Sequence, residues 1–138
     1  MSSARPTSGS GLYILDTSIL ILSLRGDGTI RARLATATKL YIPSTALGEL
    51  YFGAYGSPTR SAAALADVAA LAATNTILGT DAVTADIYGR LRQELKHKGF
   101  SMPDNDLWIA ATAIQYDVTL AARDAHFNWI DGLRAEQW

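Results

Sequence analysis

The chain carries short apolar runs that stop abruptly at a polar residue or a proline. Leu12-Tyr13-Ile14-Leu15 ends at Asp16, Lys39-Leu40-Tyr41-Ile42 at Pro43, and Val118-Thr119-Leu120-Ala121 close to Arg123-Asp124; Thr76-Ile77-Leu78 is a shorter run of the same kind. Runs this short, without alternation, are strands covered on both faces rather than half-solvated ones. Between them lie segments of helical length: Ile19 to Leu24, Thr29 to Thr38, Ser44 or Thr45 to Tyr55, Ser61 to Ala73, Ala82 to Lys98, and Pro103 or Asp104 to Tyr116. Trp129 to Trp138 holds a last strand or a turn. Strands alternating with helices in this way predict an α/β domain with a mainly parallel sheet.

At 138 residues the chain has room for one domain, expected over 12–138. Met1 to Gly11, rich in Ser and Gly, reads as a disordered tail. No stretch reaches the roughly 18 apolar residues of a membrane span, and the opening has no apolar core of a signal peptide; a cytoplasmic location is expected. The absence of cysteine excludes disulfides, thiolate catalysis and cysteine-type zinc sites. Lys and Arg number 12 against 13 acids, a net charge of -1, and charged residues make up only 18%, against roughly 25% in ordinary soluble domains. The low fraction predicts apolar surface covered by a partner or a second copy.

The informative residues are acids at positions the pattern would give to apolar side chains. Asp16 and Asp124 follow the carboxyl ends of two strands, where parallel sheets bind ligands. Glu49 shares a helical face with Ala46, Phe52 and Gly53, and Asp106 with Ile109, Ala110 and Ala113. Burying one ionised carboxylate is costly unless something neutralises it, and the Lys and Arg residues mostly lie elsewhere. A hard divalent cation, Mg2+ or Mn2+, chooses oxygen ligands and can activate water for phosphodiester cleavage. Plainer roles exist for single acids: Asp16 as the cap of the following helix, Asp106 as a first-turn acid favoured by the helix dipole. Glu49, in mid-helix, has no capping role.

Together these residues resemble the four motifs of PIN domains: Leu15-Asp16-Thr17-Ser18-Ile19; Leu47-Gly48-Glu49-Leu50-Tyr51-Phe52-Gly53-Ala54; Pro103-Asp104-Asn105-Asp106-Leu107-Trp108-Ile109-Ala110-Ala111; and Arg123-Asp124-Ala125-His126-Phe127. Order and spacing agree from Leu12 to about Leu133, and the group they are most similar to is the VapC-type toxins of bacterial toxin–antitoxin pairs. The resemblance implies a PIN-like three-layer α/β/α domain with a mainly parallel sheet of four or five strands. It implies a Mg2+- or Mn2+-dependent endoribonuclease holding one or two ions per chain. Asp16, Glu49, Asp106 and Asp124 match the family's acids: Asp16, Asp106 and Asp124 as metal ligands, and Glu49 direct or through water. Thr17 or Ser18 would assist by hydrogen-bonding a ligand or the phosphate. Asp104 is assigned to a helix cap or to the rim of the site. The partners implied are RNA, a cognate antitoxin and a second copy in a homodimer, with part of the apolar run Ile19-Leu20-Ile21-Leu22 and Leu24 lining an antitoxin groove or the dimer interface.

The remaining polar candidates read more plainly. His126 is taken as a packed or surface residue, His97 as a helix C-terminal cation, and Trp108 as core. Arg90, Arg92, Lys96 and Lys98 form either an RNA-backbone contact or a solvated helix face. Two other functions share parts of the pattern: a Mg2+-dependent phosphatase-like hydrolase, and a non-catalytic partner-binding module of the same fold. The phosphatase reading lacks its Asp-x-Asp repeat, since Thr17 and Ser18 follow Asp16. With the four acids assigned to one site, 9 acids face 12 bases over the rest of the chain, a balance of +3.

Overall fold

A computed structural model describes residues 11–138, so the expected tail, apart from Gly11, lies outside the described residues. Gly11 itself is fixed. Its φ of 79° turns its carbonyl to accept from the backbone N–H groups of Thr38 (2.8 Å) and Lys39 (3.0 Å), joining the start of the first strand to the second.

In chain order the elements are β1 (Leu12–Leu15), α1 (Thr17–Leu24), α2 (Gly28–Thr36), β2 (Lys39–Pro43), α3 (Ser44–Tyr55), α4 (Ser61–Thr74), β3 (Thr76–Leu78), α5 (Ala82–Lys98), α6 (Asp104–Tyr116), β4 (Thr119–Ala122), a 3-10 turn over Ala125–Trp129, and β5 (Ala135–Gln137). Among the described residues the sheet has five strands in the order β3-β2-β1-β4-β5, every pairing parallel. Helices cover both faces, giving the three-layer α/β/α architecture that the resemblance implies. The two most apolar runs occupy the middle: Tyr13 to Leu15 of β1 and all of β4 are buried. Ile14, Ile19, Ile42, Ile109 and Leu120, each 0% exposed, form the centre of the core between sheet and helices.

Helix starts show how local chemistry sets the boundaries. Asp16 and Asp27 cap α1 and α2 through the N–H groups of Ile19 (2.9 Å) and Ile30 (3.0 Å), and Asp81 with Thr84 forms a capping box on α5. At α3 and α6 the N-cap position is a proline, Pro43 and Pro103, with no side-chain cap. Neither Ser44 nor Thr45 therefore caps α3, because β2 runs through Pro43 straight into the helix. Asp104 likewise stands inside the first turn of α6 and does not cap it. No helix among the described residues is long and apolar enough to cross a membrane.

The strand order positions the site. From β1 the chain moves outward through β2 and β3, then crosses back to place β4 on the other side of β1. Ligand crevices of open parallel sheets form where the order reverses, outside the carboxyl ends of the strands. Here that point lies between β1 and β4, whose register sets Leu15 against Ala121. The N–H of Asp16 then donates to the Ala121 carbonyl at 3.1 Å, so the ladder continues one residue past β1 and delivers Asp16 to the crevice.

Candidate active site

Asp16 is 4% exposed. Its carboxylate accepts from the backbone N–H groups of Ile19, at 2.9 Å, and of Arg123. Burial pushes its pKa from 3.8 up to about 6; the two N–H groups hold it down, and the charges of Asp106 and Asp124 push it further up. Asp106, on the first turn of α6, is half-buried. Its pKa is raised by burial first, then by the charges of Glu49 and Asp124, with the His126 ring opposing.

Glu49 lies half-buried in the middle of α3, and the Thr17 hydroxyl donates to its Oε1 at 2.8 Å. That hydroxyl thus orients one of the four acids. Ser18 is exposed on the first turn of α1. Asp124, exposed past β4, caps the 3-10 turn through the His126 N–H (2.8 Å). Its Oδ1 also lies 3.1 Å from the His126 Nδ1.

The fold therefore brings acids from four separate elements into one field. Asp16 feels Asp106 and Asp124, and Asp106 feels Glu49 and Asp124. Among the described residues no Lys or Arg forms an ion pair with Asp16, Glu49 or Asp106. The Arg123 guanidinium, the nearest in sequence to Asp124, donates instead to the Trp138 carbonyl at 2.9 Å. No three of these side chains among the described residues stand in a finished metal cage. The donor set nevertheless fits a hard divalent cation: every donor is a carboxylate oxygen, and the most buried one has only N–H groups as partners.

A model of the PIN domain matches residues 13–133. The chain belongs to the PIN-domain family. It is 32% identical over 131 residues to ribonuclease VapC2 of Haemophilus influenzae, covering 91% of this chain and 97% of that protein. It is 30% identical, with the same coverage of both, to the tRNA(fMet)-specific endonuclease VapC of Shigella flexneri. Among solved structures, DNA-bound VapBC of Salmonella typhimurium superposes with a TM-score of 0.85 at 29% identity, over 91% of this chain and 97% of that one. This PIN domain thus sits among the VapC proteins, as its four motifs imply.

His126 is a surface residue, as expected, its side chain 54% exposed, stacked on Trp129 and 3.1 Å from the Asp124 carboxylate that also accepts from its N–H, while Phe127 beside it is buried. Other sequence expectations change. Trp108 is half-buried and lies flat on Tyr88, with 4.1 Å between ring centres, so it is not sealed in the core. The basic cluster divides. Arg92 pairs with Asp104 (3.3 Å) and Lys98 with Asp131 (3.0 Å), while Arg90 and Lys96 are exposed without an acidic partner among the described residues. Asp104, held outward by Arg92 and the Tyr88 hydroxyl, leaves Asp106 as the acid of α6 that faces the crevice.

Proposed function

We propose that this PIN domain is the toxin of a toxin–antitoxin pair, a Mg2+- or Mn2+-dependent endoribonuclease that acts as a homodimer. The observation that carries the reading is the uncompensated acid cluster: a buried Asp16 raised to about 6, coupled to Asp106 and Asp124 at the switch point of the sheet, with Glu49 set against them by Thr17. The naming of the relatives as ribonucleases and as an endonuclease supports the same reaction.

Asp16, Asp106 and Asp124 would hold one or two ions, with Glu49 direct or through water. A bound divalent ion supplies water activation and charge stabilisation at the phosphate. The chain's own residues do the rest. Thr17 fixes the Glu49 carboxylate as the group that orients a water or takes its proton. The Ile19 and Arg123 N–H groups hold Asp16 in one rotamer, and His126 stands beside Asp124 to donate to a phosphate oxygen or a leaving group. Single-stranded RNA suits a recessed site, because an unpaired backbone can bend into it.

An antitoxin has a surface to cover. Ile19 and Leu20 are buried, but Ile21, Leu22 and Leu24 are only half-buried. Ile21 and Leu24 line a groove of about 320 Å3 with Leu50, Ala54 and Val68, and Glu49 stands at its edge. Phe52 and Tyr55, 83% and 71% exposed on α3, extend this apolar ground. The VapBC structures similar to this chain support an antitoxin as the occupant. A segment lying there would pass beside Glu49.

The test is incubation of purified protein with total RNA and Mn2+ or Mg2+, repeated with EDTA and with Asp16→Asn. Cleavage is expected only in the first arm. Cleavage that survives both controls refutes the metal reading, and tight binding of a co-encoded partner without any cleavage establishes the module instead.

A further inference from the structure

A second groove, of about 490 Å3, runs between α5 and the segment leading into α6. Arg92, Gln93, Lys96, Phe100, Ser101 and Asp104 line it. Its charges are not equivalent. Arg92 is neutralised by Asp104 at 3.3 Å, whereas Lys96 is exposed and has no acidic partner among the described residues. Gln93 and Ser101 add neutral hydrogen-bonding groups.

Phe100 is presented by the end of α5. Gly99 takes a left-handed conformation (φ 78°), and the Phe100 N–H folds back onto the Leu95 carbonyl at 2.9 Å. The side chain therefore stands at the groove wall, 39% exposed. Phe100 stacks on Trp129 at 4.3 Å with 21° between planes, and His126 stacks on the same indole at 4.3 Å and 22°. The His126 Nδ1 is in turn 3.1 Å from Asp124. An unbroken series of ring contacts thus joins the groove to the carboxylates. A second connection runs through α6, whose first turn carries Asp104 in the groove and Asp106 in the site.

We propose that this groove holds the single-stranded RNA segment flanking the scissile phosphate, with Lys96 on a backbone phosphate and the Phe100 ring under an unpaired base. The proposal rests on the ribonuclease reading above and deepens it. A cation with no acidic partner among the described residues, hydrogen-bonding side chains and an exposed ring make a surface suited to an anionic strand with stackable bases. Every base has a ring face, so the platform favours unpaired strands over duplex without demanding one sequence.

The test separates binding from cleavage. A fluorescein-labelled, random-sequence 12-nucleotide single-stranded RNA is titrated in EDTA, and the same oligonucleotide is cleaved with Mn2+. Phe100→Ala and Lys96→Gln should each weaken binding about tenfold and raise KM by a similar factor with kcat little changed. Lys96→Gln should also flatten the salt dependence of log K by about 0.7. Phe100→Tyr should bind as the parent protein does, whereas Phe100→Leu, which keeps apolar packing on Trp129, should behave like Phe100→Ala. Binding and KM unchanged in the Ala, Leu and Gln variants, while the parent protein still cleaves, overturn the groove and leave the nuclease standing. A parent protein that binds the oligonucleotide in EDTA but cleaves neither it nor total RNA condemns the nuclease reading alone, and the binding of the variants still reports on the groove. Light scattering in which Phe100→Ala dissociates a dimer, with RNA binding untouched, assigns the face to a second copy and overturns the proposal.

Discussion

Replacing Asp16 with Asn should stabilise this protein while abolishing its activity. In the folded state the Asp16 pKa is about 6, against 3.8 for the ordinary group. An acid whose pKa is raised by folding binds its proton more tightly in the folded state, so ionising it costs stability. The cost is absent below about pH 4, grows as pH rises through the interval to 6, and is complete above it. Two pKa units correspond to about 3 kcal/mol, with no discount for solvent because Asp16 is 4% exposed. Asn carries no charge and is an equally good N-cap for α1, so its oxygen can keep the Ile19 N–H. It has one acceptor oxygen rather than two, and weakening the Arg123 N–H contact costs about 1 kcal/mol. The net gain is about 2 kcal/mol at pH 7.5 in EDTA, or about 1 M in the urea midpoint at a slope of roughly 2 kcal/mol/M. The measurement is urea unfolding of both proteins at pH 7.5, 5.5 and 4. The gain should shrink steadily and be gone at pH 4, and saturating Mn2+ should narrow it at pH 7.5 by stabilising the parent protein alone. An Asn variant no more stable than the parent at pH 7.5, or a gain of equal size at pH 4, would mean that Asp16 does not carry a costly buried charge.

Further outcomes follow from other contacts. Thr17→Val removes the donor that fixes Glu49 at nearly constant volume, so kcat should fall about tenfold with RNA affinity in EDTA unchanged; steady-state kinetics and anisotropy check the split. Mn2+ affinity should weaken about tenfold per pH unit below 6, because protonated Asp16 must release its proton to become a ligand; calorimetric titration at pH 7, 6 and 5 measures it. Gly11→Ala places a β-carbon against Thr38, in a backbone conformation that L side chains resist, and should lower stability by about 1–2 kcal/mol, a fall of several degrees in the melting temperature. Ile14→Ala, at a residue 0% exposed between β2 and β4, should cost about 2–5 kcal/mol in urea unfolding.

What could be read in the sequence was whatever is local. The run Leu12–Leu15 becomes β1 with the same bounds, because an apolar tetrapeptide between Gly11 and Asp16 has one way to hide both faces. Ala82 to Lys98 becomes α5 with the same bounds, since the cations of its last turn and Gly99 after it agree on where it stops. The entry into α3 is not legible, because a proline that ends a strand also occupies the N-cap, and Ser44 and Thr45 beside it have the better capping chemistry. The site was legible as a set of misplaced acids, but its wiring was not. Thr17 and Glu49 are 32 residues apart, and only the neighbouring of β1 and β4 brings Asp16 to the Arg123 N–H. Nor does spacing along α5 tell which cations are spoken for: Asp104 and Asp131, from later segments, claim Arg92 and Lys98 and leave Lys96 exposed.

Everything proposed for the function depends on these four carboxylates forming one divalent-cation site. Calorimetric titration of Mn2+ into the protein at pH 7.5, beside the same titration of Asp106→Asn, tests for that site. Saturable binding of one or two ions per chain is expected, greatly weakened by the single substitution, since the charge of Asp106 acts on Asp16 and is itself opposed by Glu49 and Asp124. No saturable binding by the parent protein, or equal binding by the variant, would contradict it.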